Sequence, residues 1–163
     1  MIAIETHTAG ADLRPATRAD LPRIEQLLTA SNLPLAGVAD SLPGFVVAEA
    51  NGAIVGTAAI EVCRDNALLR SVAVAPDWRS RGLGRALVTR AIADAETRGI
   101  RALYLLTTTA EHYFPTFGFQ QIARDRAPAD VQATDEFQSA CPASAVVMCR
   151  TCSATAEPRD NAE

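Results

Sequence analysis

One stretch restricts the fold of this chain more than any other: residues 68–91, LLRSVAVAPDWRSRGLGRALVTRA. Leu68, Leu69, Val72 and Val74 form a short apolar run suited to a central strand. Pro76 ends it, because proline fixes φ and removes a donor. The loop Arg79–Gly84 follows, and Leu83, Leu87, Val88, Ala91, Ile92 and Ala95 then recur at helical spacing. A loop that opens a helix offers N–H groups without intrahelical partners at the positive end of the helix dipole. Such a place suits a phosphate or pyrophosphate. Gly82 and Gly84 let the backbone approach an anion with no Cβ in the way, and Arg79, Arg81 and Arg85 add full charge beside it.

The kind of phosphate site is narrowed by what the loop lacks. No Gly-Lys-Ser/Thr follows the glycines, as a P-loop requires. A dinucleotide fingerprint would place Gly at position 87, where Leu stands. The other reading is an ordinary strand–turn–helix connection with a surface arginine cluster. The net charge of −4 gives no support to a nucleic-acid partner, so the positive charge is local and suits a small anion. No apolar run approaches the roughly 18 residues of a membrane span, so no membrane partner is expected. The opening residues MIAIETH carry neither a basic region nor a long apolar core, which predicts no signal peptide and a cytoplasmic location. There, Cys63, Cys141, Cys149 and Cys152 are expected as reduced thiols. Cys149-x-x-Cys152 has the spacing of a metal or redox pair, but no second pair accompanies it and zinc wants four ligands. No metal is expected.

A length of 163 residues fits one domain. Residues 1–10 read as a flexible leader without structure of its own, 11–152 as the folded domain, and 153–163 as a disordered polar tail. Ala11–Pro15 reads as the first strand. Thr17 to Asp20 fits a capping box before a helix with Leu21, Ile24, Leu27 and Leu28 on one face, ending near Ser31–Asn32. Residues 33–43 read as a plain connection or as a substrate-side wall. Strands over 45–49 and 54–62 flank Asn51-Gly52, a type I′ hairpin signal, and Gly56 loosens the second strand. The helix after the basic loop runs to about Arg98, with Gly99 as its left-handed cap. A buried strand (100–107), a short helix bent at Pro115 (110–117), a strand (118–122), a short polar helix (128–139) and a last strand (144–149) complete the chain. The order predicts an α/β (α+β) mixed sheet, mostly antiparallel with one parallel pair, and helices on both faces.

The spacing Arg79-x-x-Gly82-x-Gly84 behind Ser71-Val-Ala-Val-Ala-Pro76 resembles the acetyl-CoA pyrophosphate loop of the GNAT N-acetyltransferases. The stretch from Leu103 through Phe114 to Gly118-Phe119 resembles that family's second signature. The segments LLRSVAV, RGLGRALV, LYLLTTTAE and CPASAV are similar to short bacterial GNATs of the arsenic-resistance N-acetyltransferase type. They are more weakly similar to short glutamate N-acetyltransferases of the arginine pathway. The resemblance covers about residues 11–150. It implies the GNAT fold with a splayed parallel pair, acetyl-CoA as co-substrate, and the amine of a small amino acid or toxic analogue as acceptor. It implies that Val72, Ala73 and Val74 hold the pantetheine arm, with Val72 and Val74 pairing through their backbone. It further implies that Arg79, Ser80, Arg81, Gly82, Leu83, Gly84 and Arg85 hold the pyrophosphate. Many relatives are dimers, and a homodimer stays open here.

Direct attack of an amine on a thioester needs a neutral amine, hence a base or water chain, and a donor for the oxyanion. Glu61 is the candidate base or amine anchor, and a solvated strand-end carboxylate is its other reading. Arg70 lies in an apolar strand, where a charge must face a partner or ligand. That is a substrate carboxylate, or an internal pair with Glu49 or Glu61. Thr107 bonds substrate or pantetheine, or caps the helix that follows. Many GNATs carry a Tyr four residues before the Gly of the Gly-Phe pair, as thiolate acid. Here that place holds Phe114, with Tyr113 turned about 100° from it on a helix. Tyr113 is the candidate acid at a shifted position, and Phe114 is expected to pack beside the pantetheine. His112 reads as a surface histidine. Two other functions stand beside the transferase: a non-catalytic acyl-CoA-binding sensor, and a protein-lysine acetyltransferase with an open groove.

Overall fold

A computed structural model describes residues 6–8, 10–140 and 144–152. They form two compact units. The first comprises the chain up to Glu61 together with Leu69–Ala91, and the second Val62–Leu68 together with the chain from Ile92 on. Cys141, the stretch 153–163 read as a tail, and residues 1–5 and 9 of the expected leader lie outside the described residues.

The first unit follows the strand order β1 (Thr6–Thr8), β2 (Ala11–Pro15), β3 (Phe45–Ala50), β4 (Ala53–Cys63), β5 (Asn66–Val74). β1 through β4 pair antiparallel, with Thr6↔Leu13, Leu13↔Ala48 and Val47↔Thr57 among the registers. β1 corrects part of the expected unstructured leader. Thr-His-Thr carries no apolar period to announce a strand, but Gly10 at φ +91 turns the chain so that it pairs with β2. Asn51 and Gly52 sit at φ +53 and +77, the two left-handed residues a type I′ hairpin needs. Helix α1 (Leu21–Ala30) buries Ile24, Leu27 and Leu28, and Pro22 stands in its first turn. These three meet Phe45 and Val47 of β3, Ala59 of β4 and Ala73 of β5 in one core. Val38 and Leu42 enter the same core, so the segment 33–43 is anchored packing and not a slack connection.

The N-terminal half of helix α2 (Leu83–Thr97) belongs to this unit and corrects the reason given for Gly56. A Cβ there would lie 2.7 Å from Leu87 Cδ1. The glycine admits the helix against β4; it is not a weak point in the strand. The entry to α1 is fixed by charge. Asp20, 1% exposed, accepts from Arg14 Nη1 and Nη2 (2.8 and 3.0 Å), Arg23 Nη2 (2.7 Å) and the Thr17 backbone N–H (2.8 Å). Its carboxyl is held well below the usual carboxylate range, first by the hydrogen bond from Arg14.

In the second unit β5 is followed across the sheet by β6 (Ala102–Thr107), β8 (Val146–Thr151) and β7 (Gln120–Ile122). β5 and β6 pair in parallel through Asn66↔Ala102, Ala67↔Leu103 and Leu68↔Tyr104, whereas β6–β8 and β7–β8 are antiparallel. The sheet is therefore mixed, with one parallel pair, as the element order predicts. Gly99 at φ +77 ends α2, and the Ile100 N–H closes on the Ala95 carbonyl at 3.0 Å. Cys63, Leu68, Ala127, Val131, Phe137 and Val147 make this unit's core.

Two expected helices are shorter than their sequence pattern. Residues 110–117 hold only a 3₁₀ turn, Phe114–Phe117, because Pro115 and the left-handed Gly118 (φ +93) confine it. Residues 128–139 split into α3 (Ala129–Gln132) and a π-helical turn at Glu136–Ala140. The break is at Thr134, whose hydroxyl donates back to the Val131 carbonyl (2.8 Å) and accepts the Phe137 N–H (3.3 Å). No helix among the described residues is long and apolar enough to cross a membrane.

Candidate functional site

The basic loop is built as its residues require. Beyond β5 a 3₁₀ turn (Pro76–Trp78) reverses the chain, and Ser80 (φ +65) and Gly82 (φ +83) carry it into α2. Leu83 is the one deeply buried residue of the segment 79–85, at 1% exposure, and pins the first turn of the helix to the core. Arg79, Ser80, Arg81, Gly82 and Arg85 are exposed, and Gly84 is half-buried. Arg79 Nε donates to the Val74 carbonyl at 3.1 Å, tying the loop to the end of β5. The Arg81 guanidinium lies 4.7 Å from the Trp78 ring centroid, and Trp78 in turn lies 3.5 Å from the place a Cβ on Gly10 would take. A Cβ on Gly82 would meet nothing within 4 Å, so the space above that residue is open. By helical geometry the N–H groups at the start of α2 have no partner within the helix, and the Ala86 N–H is the first to bond back, to Gly82 at 3.1 Å. An exposed cluster of cations around open backbone at a helix start is chemically suited to an anion.

β5 alternates at its end. Val72 and Val74 are half-buried, while the Ala73 side chain belongs to the core at 6% exposure. The Ala73 side chain is therefore turned away from any ligand along this edge.

Glu61 and Arg70 come together in the first unit. Arg70 Nη1 donates to Glu61 Oε1 at 2.9 Å, Nη2 to the Ala36 carbonyl at 2.6 Å, and Nε to Ser71 Oγ at 3.3 Å. The Arg70 side chain is 0% exposed and that of Glu61 22%. Of the alternatives for Arg70, the internal pair with Glu61 is the one formed; Glu49 instead pairs with Arg14 at 2.9 Å. The guanidinium is buried, and Glu61, Ala36 and Ser71 are among its acceptors.

Thr107, Tyr113 and Phe114 belong to the second unit. Thr107 Oγ1 accepts the Ala110 N–H at 2.9 Å and so caps the turn after β6. Phe114, 7% exposed, packs edge-on to Phe119 (5.8 Å) and Tyr113 (5.3 Å). Tyr113 is 37% exposed and also packs edge-on to Phe117. His112 is 95% exposed beside Glu111, a surface histidine.

Cys149 and Cys152 lie three residues apart, at the end of β8 and just beyond it, an odd spacing that turns side chains to opposite faces of a strand. Burial pushes both thiols up, and Cys149 shares a hydrogen bond with the Tyr104 hydroxyl, itself pushed up to about 12 chiefly by burial. Among the described residues no group of three His, Cys, Asp or Glu could hold a metal.

Two residues at the site carry more than their sequence suggests. Ser71 takes φ +57 in the middle of β5, and the hydroxyl of Thr57 on β4 donates to its carbonyl at 2.7 Å. A threonine inside the apolar run of residues 53–60 was the visible signal for the second.

Comparison with known proteins gives the same direction. Over 87 residues, 52% of this chain, it is 36% identical to the amino-acid acetyltransferase of Ectopseudomonas mendocina, of which the match covers 20%. The chain thus spans about a fifth of the length of that relative. Its structure is similar to that of N-acetylglutamate synthase from Neisseria gonorrhoeae complexed with coenzyme A and N-acetyl-glutamate. That likeness has a TM-score of 0.75 at 22% identity and covers 94% of this chain and 36% of that one. Rv2747 from Mycobacterium tuberculosis, in complex with CoA and NLQ, superposes with a TM-score of 0.73 at 24% identity over 85% of this chain and 98% of that one. At these identities the structures speak for the fold. Residues 42–121, which run from just before β3 into β7 and hold the basic loop, match the model of the acetyltransferase (GNAT) domain, and this part of the chain is a GNAT acetyltransferase domain.

Proposed function

We propose that the protein transfers the acetyl group of acetyl-CoA to the amine of a small amino acid or of a toxic amino-acid analogue. An arsenic-containing analogue of glutamate is the finer proposal, and it rests on the resemblance of the segments LLRSVAV, RGLGRALV and LYLLTTTAE. The observation that carries the proposal is the exposed loop Arg79–Arg85, with open space over a left-handed Gly82 at the start of α2. That arrangement fits a pyrophosphate by charge, by the N–H groups that a helix start turns outward and by clearance. Support also comes from relatives described as amino-acid acetyltransferases and from a neighbouring structure that holds coenzyme A and N-acetyl-glutamate.

In the reaction the acceptor nitrogen attacks the thioester carbon. A C–N bond forms, the C–S bond breaks, and the amine proton passes to a base directly or through water. Glu61 is assigned that proton or the anchoring of the amine, because it keeps 22% of its side chain in solvent while Arg70 holds one oxygen. Arg70 is assigned to hold Glu61 and the Ala36 carbonyl at the substrate side of the site. The backbone of Val72–Val74 is assigned to the pantetheine arm, and the family resemblance assigns Phe114 as a coenzyme A contact and Thr107 as a substrate contact. Tyr113 remains the candidate to return a proton to the leaving thiolate.

Mass spectrometry of acceptors incubated with acetyl-CoA tests this. The panel holds glutamate, other amino acids, phosphinic and arsinic glutamate analogues, and a lysine peptide. Acetylation of a small amino acid or analogue is expected. Modification of the lysine peptide alone would favour a protein acetyltransferase, and coenzyme A binding with no acceptor modified would favour a sensor.

A further inference from the structure

β5 contains a residue that a strand does not ordinarily hold. Ser71 has φ +57, in the left-handed region, where a side chain other than glycine or asparagine is uncommon. One such residue inside a nine-residue strand is a local irregularity, and such conformations persist only where the surroundings over-determine them. Two side chains do so here. Arg70 Nε donates to the Ser71 hydroxyl at 3.3 Å, and Thr57 Oγ1 donates to the Ser71 carbonyl at 2.7 Å.

Thr57 is otherwise out of place. It stands directly across from Val47 on β3 and shares its face of the sheet, together with Ala59 two residues on. Val47 and Ala59 are both 0% exposed and belong to the apolar core, and Thr57 is 0% exposed beside them. Packing alone asks for valine at this place. A buried hydroxyl costs stability unless it is bonded, and this one bonds the Ser71 carbonyl.

We propose that Thr57 is a positioning residue for acetyl transfer. Its hydroxyl clamps the irregularity at Ser71, and the clamp fixes the direction of the backbone groups of Val72–Val74 that meet the acetyl-pantetheine arm. This rests on the proposed function, in which that backbone serves the arm. In this role Thr57 is not a contact of substrate or coenzyme A. It acts through Ser71, one residue before Val72.

The test compares Thr57→Val, which keeps shape and removes the donor, with Thr57→Ser, which keeps the donor. Wild-type protein is assayed first; if it acetylates no acceptor, the proposed function fails and this inference fails with it. With an active wild type, Thr57→Val is expected to lower kcat by about 10- to 100-fold, since a small misplacement of the reacting groups has that cost. Its affinity for coenzyme A, read by fluorescence of the single tryptophan Trp78 beside the loop, is expected to stay within about twofold. Thr57→Ser is expected to recover most of kcat. The amide resonance of Val72 is expected to shift in Thr57→Val and to return in Thr57→Ser. If Thr57→Val is insoluble, Thr57→Ala reads the same bond. An unchanged kcat in Thr57→Val or Thr57→Ala would overturn the inference. So would equal losses in the serine and valine variants, or losses of kcat and coenzyme A affinity in the same proportion.

Discussion

Arginines appear in two settings within the first unit, and the contrast separates structure from function. Arg70 is 0% exposed and gives its guanidinium to Glu61, Ala36 and Ser71. Arg79, Arg81 and Arg85 stand in solvent around a glycine with nothing above it. A buried charge has to be satisfied by the protein itself, because leaving it unpaired costs several times what the pair contributes. An exposed charge contributes little to stability and keeps its capacity for a ligand. Charge in the strand therefore holds the scaffold, and charge in the loop stays at the surface, where the proposed pyrophosphate would meet it.

The contrast is sharpest where the buried partner is removed. Asp20→Asn is expected to cost about 3 kcal/mol at pH 7, since three charge-assisted bonds from Arg14 and Arg23 lose their acceptor charge. The same group gives a pH test. Its folded carboxyl is held below the usual range, so its stabilisation is complete above about pH 4 and drains away as pH falls. Wild-type protein should therefore lose stability more steeply below pH 4 than Asp20→Asn, by denaturant titration at each pH. Arg70→Ala is expected to cost about 2 kcal/mol in urea unfolding, the lower figure because Glu61 keeps 22% of its side chain in solvent. The loop should respond in the opposite way. Arg79→Ala with Arg81→Ala is expected to leave unfolding within about 0.5 kcal/mol and to weaken coenzyme A binding by about tenfold or more. That weakening should shrink at high salt, whereas the cost of Arg70→Ala should not. Gly82→Ala is expected to cost about 1 kcal/mol from φ +83 alone, since no atom obstructs the new methyl. A loop variant that unfolds like Arg70→Ala would break the comparison.

Local chemistry made much of this legible. Asn51-Gly52, Pro76 and Gly99 state their backbone geometry in the sequence itself, and the strand–loop–helix 68–91 is read from spacing. The partner of Arg70 is not local. Ala36 stands 34 residues away, and nothing near position 70 says whether Glu49 or Glu61 will meet it. Ser71 carries no residue signal for a left-handed conformation, because serine is not the residue that region favours. Thr134 broke a helix whose apolar pattern ran through it, since its hydroxyl competes with the backbone for the same bonds. β1 was missed because a polar three-residue strand is defined by its neighbour and not by its own side chains.

The most direct test is calorimetric titration of coenzyme A into wild-type protein and into the variant with Arg79→Ala and Arg81→Ala, with Tm measured on both. The expected result is binding by the wild type, a loss of about tenfold or more in the variant, and equal Tm. No binding by the wild type, or equal affinity in both proteins, would contradict the assignment of the loop as the seat of the pyrophosphate.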